Sequence, residues 1–374
     1  EDDFGFSKLQ LAYEIHRPSY INAEPKISMF NIDIPDLDKN QQQIVMDWET
    51  KNIGLMPDDE IHFHFELYDN DQISGPKKEL SSTFIAKIPS LNDLFLSYEN
   101  QEEEIMSNAE EELSSVIKLK EKINEARLDL LKADNPDWEQ QQKTKESLKA
   151  IENQIDNFQK LNEKLSLLNK QGEKHDLFSS EMMEKFRDLQ KLVEEILPSE
   201  MFKDIDWVKE ALEELDIEDM ISALENMSNN LNHIEQELDR FLDIFQRIKA
   251  EQKVDEIKKH LEQLVANQDN IDQQIRSTNK RTDPSMFKRL SREQKINEKE
   301  FDKILNQMNK SISDIKKFSR KTAQGIENLS ESKDAKLSKK YLRETINNLD
   351  RQQPYQAMDA SYSGLQSMQS MQAS

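Results

Sequence analysis

Residues 238–271 read LDRFLDIFQRIKAEQKVDEIKKHLEQLVANQDNI, and this stretch decides the fold. Around it, apolar residues recur every three or four positions from Ile217 to Ile275, which is the spacing of one apolar stripe on a helix. The pattern slips between Lys249 and Lys253 and then resumes, so the stripe has one discontinuity. At about 1.5 Å per residue, this predicts a helix roughly 90 Å long. Such a helix needs partner helices along its whole length to bury the stripe.

The composition favours long helices over one large globular core. Of the 374 residues, 33% are charged and 35% are hydrophobic, and only six are glycine, too few for phosphate-binding loops or turn-dense β folds over most of the length. The formal net charge of −23 disfavours nucleic acids and anionic lipid surfaces as partners. The absence of cysteine excludes disulfides and thiolate sites, and leaves the redox compartment open.

The first 97 residues differ from the rest, since they hold six of the ten prolines and three of the six glycines. They contain segments of alternating apolar and polar residues, which are typical of strands. The segments are residues 6–15, 26–32, 43–48, 60–68 and 82–88. Short antiparallel strands at this spacing predict an immunoglobulin-like (Ig-like) β-sandwich, with Ile61, Phe63 and Phe65 in its core.

From Ser90 onward the sequence predicts helices. Breaks are predicted at Pro198 and at Asp283–Pro284, because proline ends one helix and suits the first turn of the next. The predicted fold class is therefore α+β. Its predicted domains are the sandwich (1–97), an elongated bundle of long antiparallel helices with coiled-coil-like seams (98–350), and a flexible tail rich in Gln, Met and Ser (351–374).

Six apolar residues of the central stripe are expected to carry helix pairing. They are Leu238, Phe241, Phe245, Ile248, Leu261 and Leu264. Antiparallel pairing within one chain and pairing between two chains give the same periodicity, so both remain open. Protein partners or self-association through these helices are the expected interactions.

Two polar patterns resemble metal sites without completing one. His62, His64 and Glu66 share one face of a predicted strand, but a strand face rarely supplies a whole site without a loop ligand. Asp69–Asp71 resembles the start of a calcium loop, but the residues after it do not supply the required oxygen ligand and glycine. A solvated strand face and an ordinary turn are the favoured interpretations, and no metal is predicted. No nucleophile elbow, P-loop or dinucleotide fingerprint occurs, so no catalytic residue and no cofactor are predicted either.

Several short motifs carry a resemblance to a known family. They are FGFSKL (4–9), MPDD (56–59), YDND (68–71), GPK (75–77), LDR (238–240), FQR (245–247) and AEQK (250–253). Together they resemble an uncharacterised bacterial family of large membrane-anchored proteins, of the domain-of-unknown-function type found in Bacteroidetes-like bacteria. The resemblance implies a membrane anchor upstream of residue 1, an extracytoplasmic Ig-like domain and a long helical region. It supplies no active residues, and any membrane contact is expected only through that anchor, which this sequence lacks.

The predicted function is that of a non-enzymatic structural, scaffolding or protein-interaction protein of the bacterial cell envelope. The expected location is periplasmic or extracytoplasmic, with the cytoplasm as the alternative. A rival prediction is a carbohydrate- or peptide-binding module that acts through Trp48, His62, His64 and Tyr68. Exposed aromatic residues on one face of the β-domain would favour that rival. A metal enzyme at His62 and His64 would require a third ligand brought close in space.

Overall fold

The computed structural model describes residues 5–21, 24–37, 39, 41–50, 53–71, 75–132, 136–197, 199–278 and 284–374. The chain is 72% helical, and a small N-terminal antiparallel sheet of five strands precedes the helical region. At this level the predicted α+β organisation is confirmed. The residues that follow Asp71 in the calcium-like turn, 72–74, and the predicted breaks at Pro198 and Asp283 lie outside the described residues.

The described strands form one antiparallel sheet in the order β2-β1-β3-β4, and β5 also pairs with β3. The strands are β1 (Phe6–His16), β2 (Ser28–Ile32), β3 (Glu60–Asp69), β4 (Lys78–Leu80) and β5 (Phe84–Lys87). Four of the predicted strands are thus confirmed, and β4 is a strand that the sequence did not indicate. Because all these strands belong to one sheet, the two-layered Ig-like sandwich is not confirmed.

The strand predicted at residues 43–48 is wrong. This segment is described and carries no strand pairing, yet its side chains still alternate, with Val45 86% exposed and Trp48 half-buried. The Trp48 ring packs against the rings of Tyr13 and Phe63, with centroids 5.2 and 5.6 Å apart. The alternation therefore arises because an extended segment lays one side on the sheet through its side chains, without joining the backbone ladder.

The described residues from Leu91 onward are mostly helical. These are α1 (Leu91–Leu130), α2 (Trp138–Lys174), α3 (Ser180–Glu195), α4 (Ser199–Glu214), α5 (Ile217–Ser277), α6 (Pro284–Phe318), α7 (Arg320–Ser330), α8 (Lys333–Asp350) and α9 (Pro354–Ala373). The predicted central helix is confirmed as α5, which runs for 61 residues without a break. Ser90 caps the start of α1, since the backbone N–H of Asp93 donates to Ser90 Oγ over 3.2 Å.

The tail predicted to be flexible is instead largely helix α9. Its sequence has few large apolar residues, but small residues and methionines recur at helical spacing and are buried. These buried residues are Ala357, Ala360, Ser361, Leu365, Met368 and Met371. Small side chains let helix backbones approach closely, and methionine fills irregular gaps, so a stripe of low hydrophobicity can still be buried.

The chain divides into two compact units, each built from several segments. The first comprises Glu1–Leu94, Leu264–Lys303 and Lys336–Ser370. The second comprises Phe95–Gln263, Ile304–Ala335 and Met371–Ser374. The sheet thus belongs to the same unit as segments of α5, α6, α8 and α9. No described helix is long and apolar enough to cross a membrane.

The six residues expected to carry helix pairing are all buried within the single chain. Their exposed fractions are 0% for Leu238, Phe241 and Phe245, 6% for Ile248, 3% for Leu261 and 2% for Leu264. The Phe241 and Phe245 rings also contact each other, with centroids 5.6 Å apart. Pairing between two chains through these side chains would therefore require the fold of one chain to open.

Candidate functional site

The long strand β3 has two chemically different faces. In the pairing of β1 with β3, His62 lies opposite Glu14, and His64 lies opposite Ala12. Since directly paired residues point to the same side of a sheet, these side chains share one face. The predicted grouping of His62 and His64 on one face is therefore confirmed, and β1 contributes further polar groups to it.

The histidines of this face are each close to a glutamate. The Nε2–Oε distances are 3.3 Å from His16 to Glu14, 3.1 Å from His62 to Glu60 and 3.5 Å from His64 to Glu66. The rings of His16 and His62 also stack, with centroids 3.9 Å apart and planes 25° apart. Imidazole and carboxylate groups are thus concentrated on one side of the sheet.

A cavity of about 340 Å³ opens on this face, and we call it the histidine cavity. It is lined by Glu14, His16, Ile27, His62, His64 and Thr83, and also by Tyr13, although the Tyr13 ring packs against Trp48 on the other side of the sheet. Its volume lies at the lower end of the range for small-ligand sites. Among the described residues, no three His, Asp or Glu side chains are arranged to hold a metal ion.

Glu66 and Tyr68 are engaged in holding the sheet together. Glu66 is buried, and its carboxylate accepts hydrogen bonds from Lys78 Nζ over 3.0 Å and from the Tyr68 hydroxyl over 2.9 Å. The Lys78 ammonium is the main reason that the pKa of Glu66 is lowered. Tyr68, which the rival prediction grouped with His62 and His64, is not among the residues that line the histidine cavity.

Aromatic residues occupy the opposite face of the sheet. The Trp48 ring lies 5.8 Å from the Phe30 ring, in addition to its contacts with Tyr13 and Phe63. Phe63 stacks on Phe84, with ring centroids 5.4 Å apart. Trp48 and the histidines, grouped together in the rival prediction, are therefore on different sides of the sheet. Trp48 is part of an aromatic cluster that covers this side.

His16 and Glu14 are cavity residues that the sequence analysis missed. Both lie at the end of β1, where Glu14 and His16 alternate with Tyr13 and Ile15. The same alternation singled out His62 and His64 on β3. What the sequence did not provide was the pairing of β1 with β3, which brings the two polar runs together.

The MPDD motif, residues 56–59, anchors the loop before β3. The Asp59 carboxylate is fully buried, forms an ion pair with the Arg17 guanidinium and accepts a hydrogen bond from the Met56 N–H over 2.7 Å. Arg17 also donates to the Gly54 carbonyl over 3.1 Å. Burial raises the pKa of Asp59, and the Met56 hydrogen bond and the Arg17 charge oppose that rise. This arrangement fixes the loop before β3. Because the Asp59 carboxylate is buried, it is not accessible to a substrate.

We expect Asp59→Ala to lower the free energy of unfolding by about 2 kcal/mol, because the half-buried Arg17 loses its counter-charge and the Met56 N–H loses its acceptor. Urea unfolding monitored by circular dichroism at pH 7 measures this effect. The matched control is Asp47→Ala at an exposed position, expected to stay within about 0.5 kcal/mol of the parent. Equal effects of the two substitutions would show that the contacts of Asp59 contribute nothing to the free energy of unfolding.

A second polar cluster lies inside the second unit, between α1, α5 and α6. The buried Gln252 amide donates to Glu102 Oε2 over 3.2 Å and to Glu256 Oε1 over 2.7 Å. Gln307 donates to Glu256 Oε2 over 2.8 Å, and its Oε1 lies 3.1 Å from His260 Nδ1. Burial raises the pKa of Glu102 and of Glu256. We call these five residues the buried acid cluster.

No family model, curated protein or solved structure matches this chain. The resemblance to a membrane-anchored bacterial family therefore stays a prediction. For two of its motifs the structure supplies a physical role. Asp59 of MPDD anchors the loop before β3, and Asp69 of YDND accepts a hydrogen bond from the Lys77 N–H over 2.8 Å through its side chain. Both are roles in building the sheet.

Proposed function

We propose that this chain is a non-enzymatic structural and protein-interaction protein of the bacterial cell envelope. The observation that carries the proposal is a buried amide layer in the first unit. Gln268 of α5 and Gln294 of α6 exchange hydrogen bonds of 3.2 and 2.9 Å between their amides. Asn297 donates to Gln268 over 2.9 Å, and Gln268 donates to Ser361 of α9 over 3.1 Å.

Such a layer supports a scaffolding role because it fixes how helices align. If one helix slipped along its neighbour by a turn, buried amides would lose their partners, at about 1–3 kcal/mol for each orphaned group. Buried polar residues at seam positions set register in this way. Helices of fixed register hold surface residues at constant spacing, which a scaffold requires.

We infer that the long helices pair within one chain through coiled-coil-like seams, and that the sheet with its cover at residues 41–50 corresponds to the Ig-like domain of the resembling family. The burial of the six seam residues in one chain supports the first point. The aromatic face covered by the Trp48 segment supports the second. The envelope location rests on the resemblance.

Site-specific photo-crosslinking in the source bacterium tests this role. Leu128 of α1 and Leu167 of α2 are 50% and 63% exposed, and apolar exposed positions on helices are candidate docking points. A photo-reactive residue at either position is expected to give discrete protein adducts. The matched control is the exposed polar position Lys145 of α2. Absence of adducts at both leucines, or the same adducts at Lys145, would contradict protein docking on these helices.

A second candidate function is ligand recognition by the sheet. It is favoured by the histidine cavity, whose rim includes Ile27, 61% exposed. Carbohydrate recognition normally uses an aromatic ring that is open to the ligand, but Trp48 is half-buried among Tyr13, Phe30 and Phe63. A peptide is therefore the ligand class that the cavity supports better.

A further inference from the structure

The outer edge of the sheet beside β3 is open. Strands β4 and β5 both pair with β3, at Glu66–Tyr68 and Glu60–Phe63 respectively, and so follow each other along the same edge. All seven residues of these two strands are exposed. Among the described residues, β5 pairs with β3 alone. An unpaired strand edge presents backbone donors and acceptors that a further strand can use.

The direction of the free groups follows from the hydrogen bonds at the end of β5. The Ile88 N–H donates to the Asp59 carbonyl over 2.8 Å, and the Ile88 carbonyl accepts from the Asp58 N–H over 2.9 Å. Because backbone groups alternate in direction along an antiparallel strand, Ala86 and Phe84 also face β3. The N–H and C=O groups of Ile85 and Lys87 therefore face outward.

This free edge adjoins the histidine cavity. Ile85 pairs directly with His62, so its side chain, 62% exposed, lies on the histidine face of the sheet. Thr83, just before β5, lines the cavity. A strand added alongside Ile85 would direct alternate side chains to this same face. The first such side chain would lie at the cavity mouth.

The charge of the site selects the ligand. Glu14 and Glu60 flank the stacked pair of His16 and His62, and at neutral pH their carboxylates have no lysine or arginine partner among the described ion pairs. The nearby Lys87 is already paired with Asp93 over 2.9 Å and Asp58 over 3.5 Å. The chain as a whole has a formal net charge of −23. A cationic side chain is therefore favoured, and imidazole rings can stack with a guanidinium.

We propose that β5 binds an extended basic segment of a partner protein as an additional strand, with an arginine or lysine side chain of that segment in the histidine cavity. The backbone edge provides affinity and the cavity provides selectivity, as in other cases of strand addition. This proposal deepens the second candidate function and rests on it. Addition of a second copy of the same chain is disfavoured because both copies are strongly acidic.

The test uses the purified chain and a fluorescent, end-blocked synthetic peptide of alternating arginine and valine, followed by anisotropy. Ile85→Pro removes the outward N–H and leaves the pairing with β3 in place. Edge strands tolerate proline at positions where the N–H faces outward. It is expected to weaken binding at least tenfold. The matched control is Val45→Pro, an exposed extended residue away from the edge, which is expected to bind like the parent. Ile85→Lys is a second edge variant, which keeps every backbone group, and it is also expected to weaken binding.

Two further measurements separate the cavity from the edge. Glu14→Gln combined with Glu60→Gln is expected to weaken binding of the arginine peptide several-fold, and a peptide with glutamate in place of arginine is expected not to bind the parent chain. Equal affinity of the parent and both edge variants, or equal affinity for the two peptides, would overturn the proposal. A dimeric light-scattering mass that Ile85→Pro converts to a monomeric mass would also overturn it, since the edge would then hold a second copy. None of these measurements depends on the helices, so they are independent of the crosslinking test.

Discussion

Replacing Lys253 with methionine is expected to lower the free energy of unfolding by about 3–5 kcal/mol at pH 7 and above, because it removes one partner from a buried ion-paired group. The Lys253 ammonium forms an ion pair with Glu99 and lies 3.6 Å from Glu256 Oε2. The Glu256 side chain is fully buried, whereas Lys253 is 15% exposed. Methionine fills most of the space of lysine, so the loss would come from the charge and not from packing.

Chemical denaturation of Lys253→Met checks this value. The matched control is Lys258→Met on the same helix, where the lysine is exposed and the substitution should cost less than about 0.5 kcal/mol. Burial already raises the pKa of Glu256. Loss of Lys253 should raise it further, so the destabilisation should shrink as the pH falls and Glu256 takes up a proton. A cost that is small or independent of pH would show that the lysine does not compensate the buried carboxylate.

Replacing Glu102 with glutamine is expected to have the opposite sign, raising the free energy of unfolding at pH 7 by about 1–3 kcal/mol. The Glu102 carboxyl is fully buried and receives one hydrogen bond, from Gln252, while its Oε1 atom has no partner. The Oε1 atom of Gln252 also lacks a partner. Glutamine keeps the shape of glutamate, removes the buried charge and adds an N–H that can donate within the cluster. The exposed Glu103→Gln is the matched control.

The pH dependence gives this prediction its sharpest test. Burial, followed by the charge of Glu256, raises the pKa of Glu102 well above its ordinary value of 4.5, against the opposing charge of Lys249. The folded state therefore binds this proton more tightly than the unfolded state does. Its contribution to stability is fully present below about pH 4.5 and is lost as the pH rises through the folded pKa.

Glu102→Gln removes this titration, so the stability gain of the variant over the parent should be small near pH 4.5 and grow as the pH rises. Urea unfolding of the parent and the variant from about pH 4.5 upward measures the difference in their free energies of unfolding. The contributions of other titrating groups cancel in this difference. The charged and titratable groups around Glu102, namely Glu256, Lys249, Lys253 and Tyr98, remain in both proteins. A gain that stays constant with pH would mean that Glu102 is ionised in the folded protein throughout.

The sequence predicted α5 well because its signal is long and redundant. Ten apolar positions from Ile217 to Ile248 repeat the same spacing, so a single exception does not obscure the helix. The slip at Lys249–Lys253 is the informative exception. The buried positions continue through it as Ala250 and Gln252, and Glu256 is buried just after it. A discontinuity in apolar spacing on an otherwise continuous helix can thus mark a buried polar cluster.

The β region was less predictable because alternation indicates an extended chain and not its hydrogen-bonding partner. Residues 43–48 and 60–68 both alternate, but only the second segment forms a ladder. The histidine cavity was difficult to predict for the same reason. His62 and His64 were visible on one strand, whereas Glu14 and His16 join them only through a pairing between residues about fifty positions apart. Which partners meet across such separations depends on the tertiary fold, and short-range periodicity does not encode it.

The Trp48 segment, finally, is held by a different kind of force from the strands beneath it. Among the described residues, no backbone hydrogen bond joins residues 43–49 to the sheet, whereas the Trp48 ring contacts the rings of Tyr13, Phe30 and Phe63. Such contacts weaken on cooling, whereas ladder hydrogen bonds do not share that temperature dependence. Detaching residues 43–49 would therefore break ring contacts and no ladder hydrogen bond.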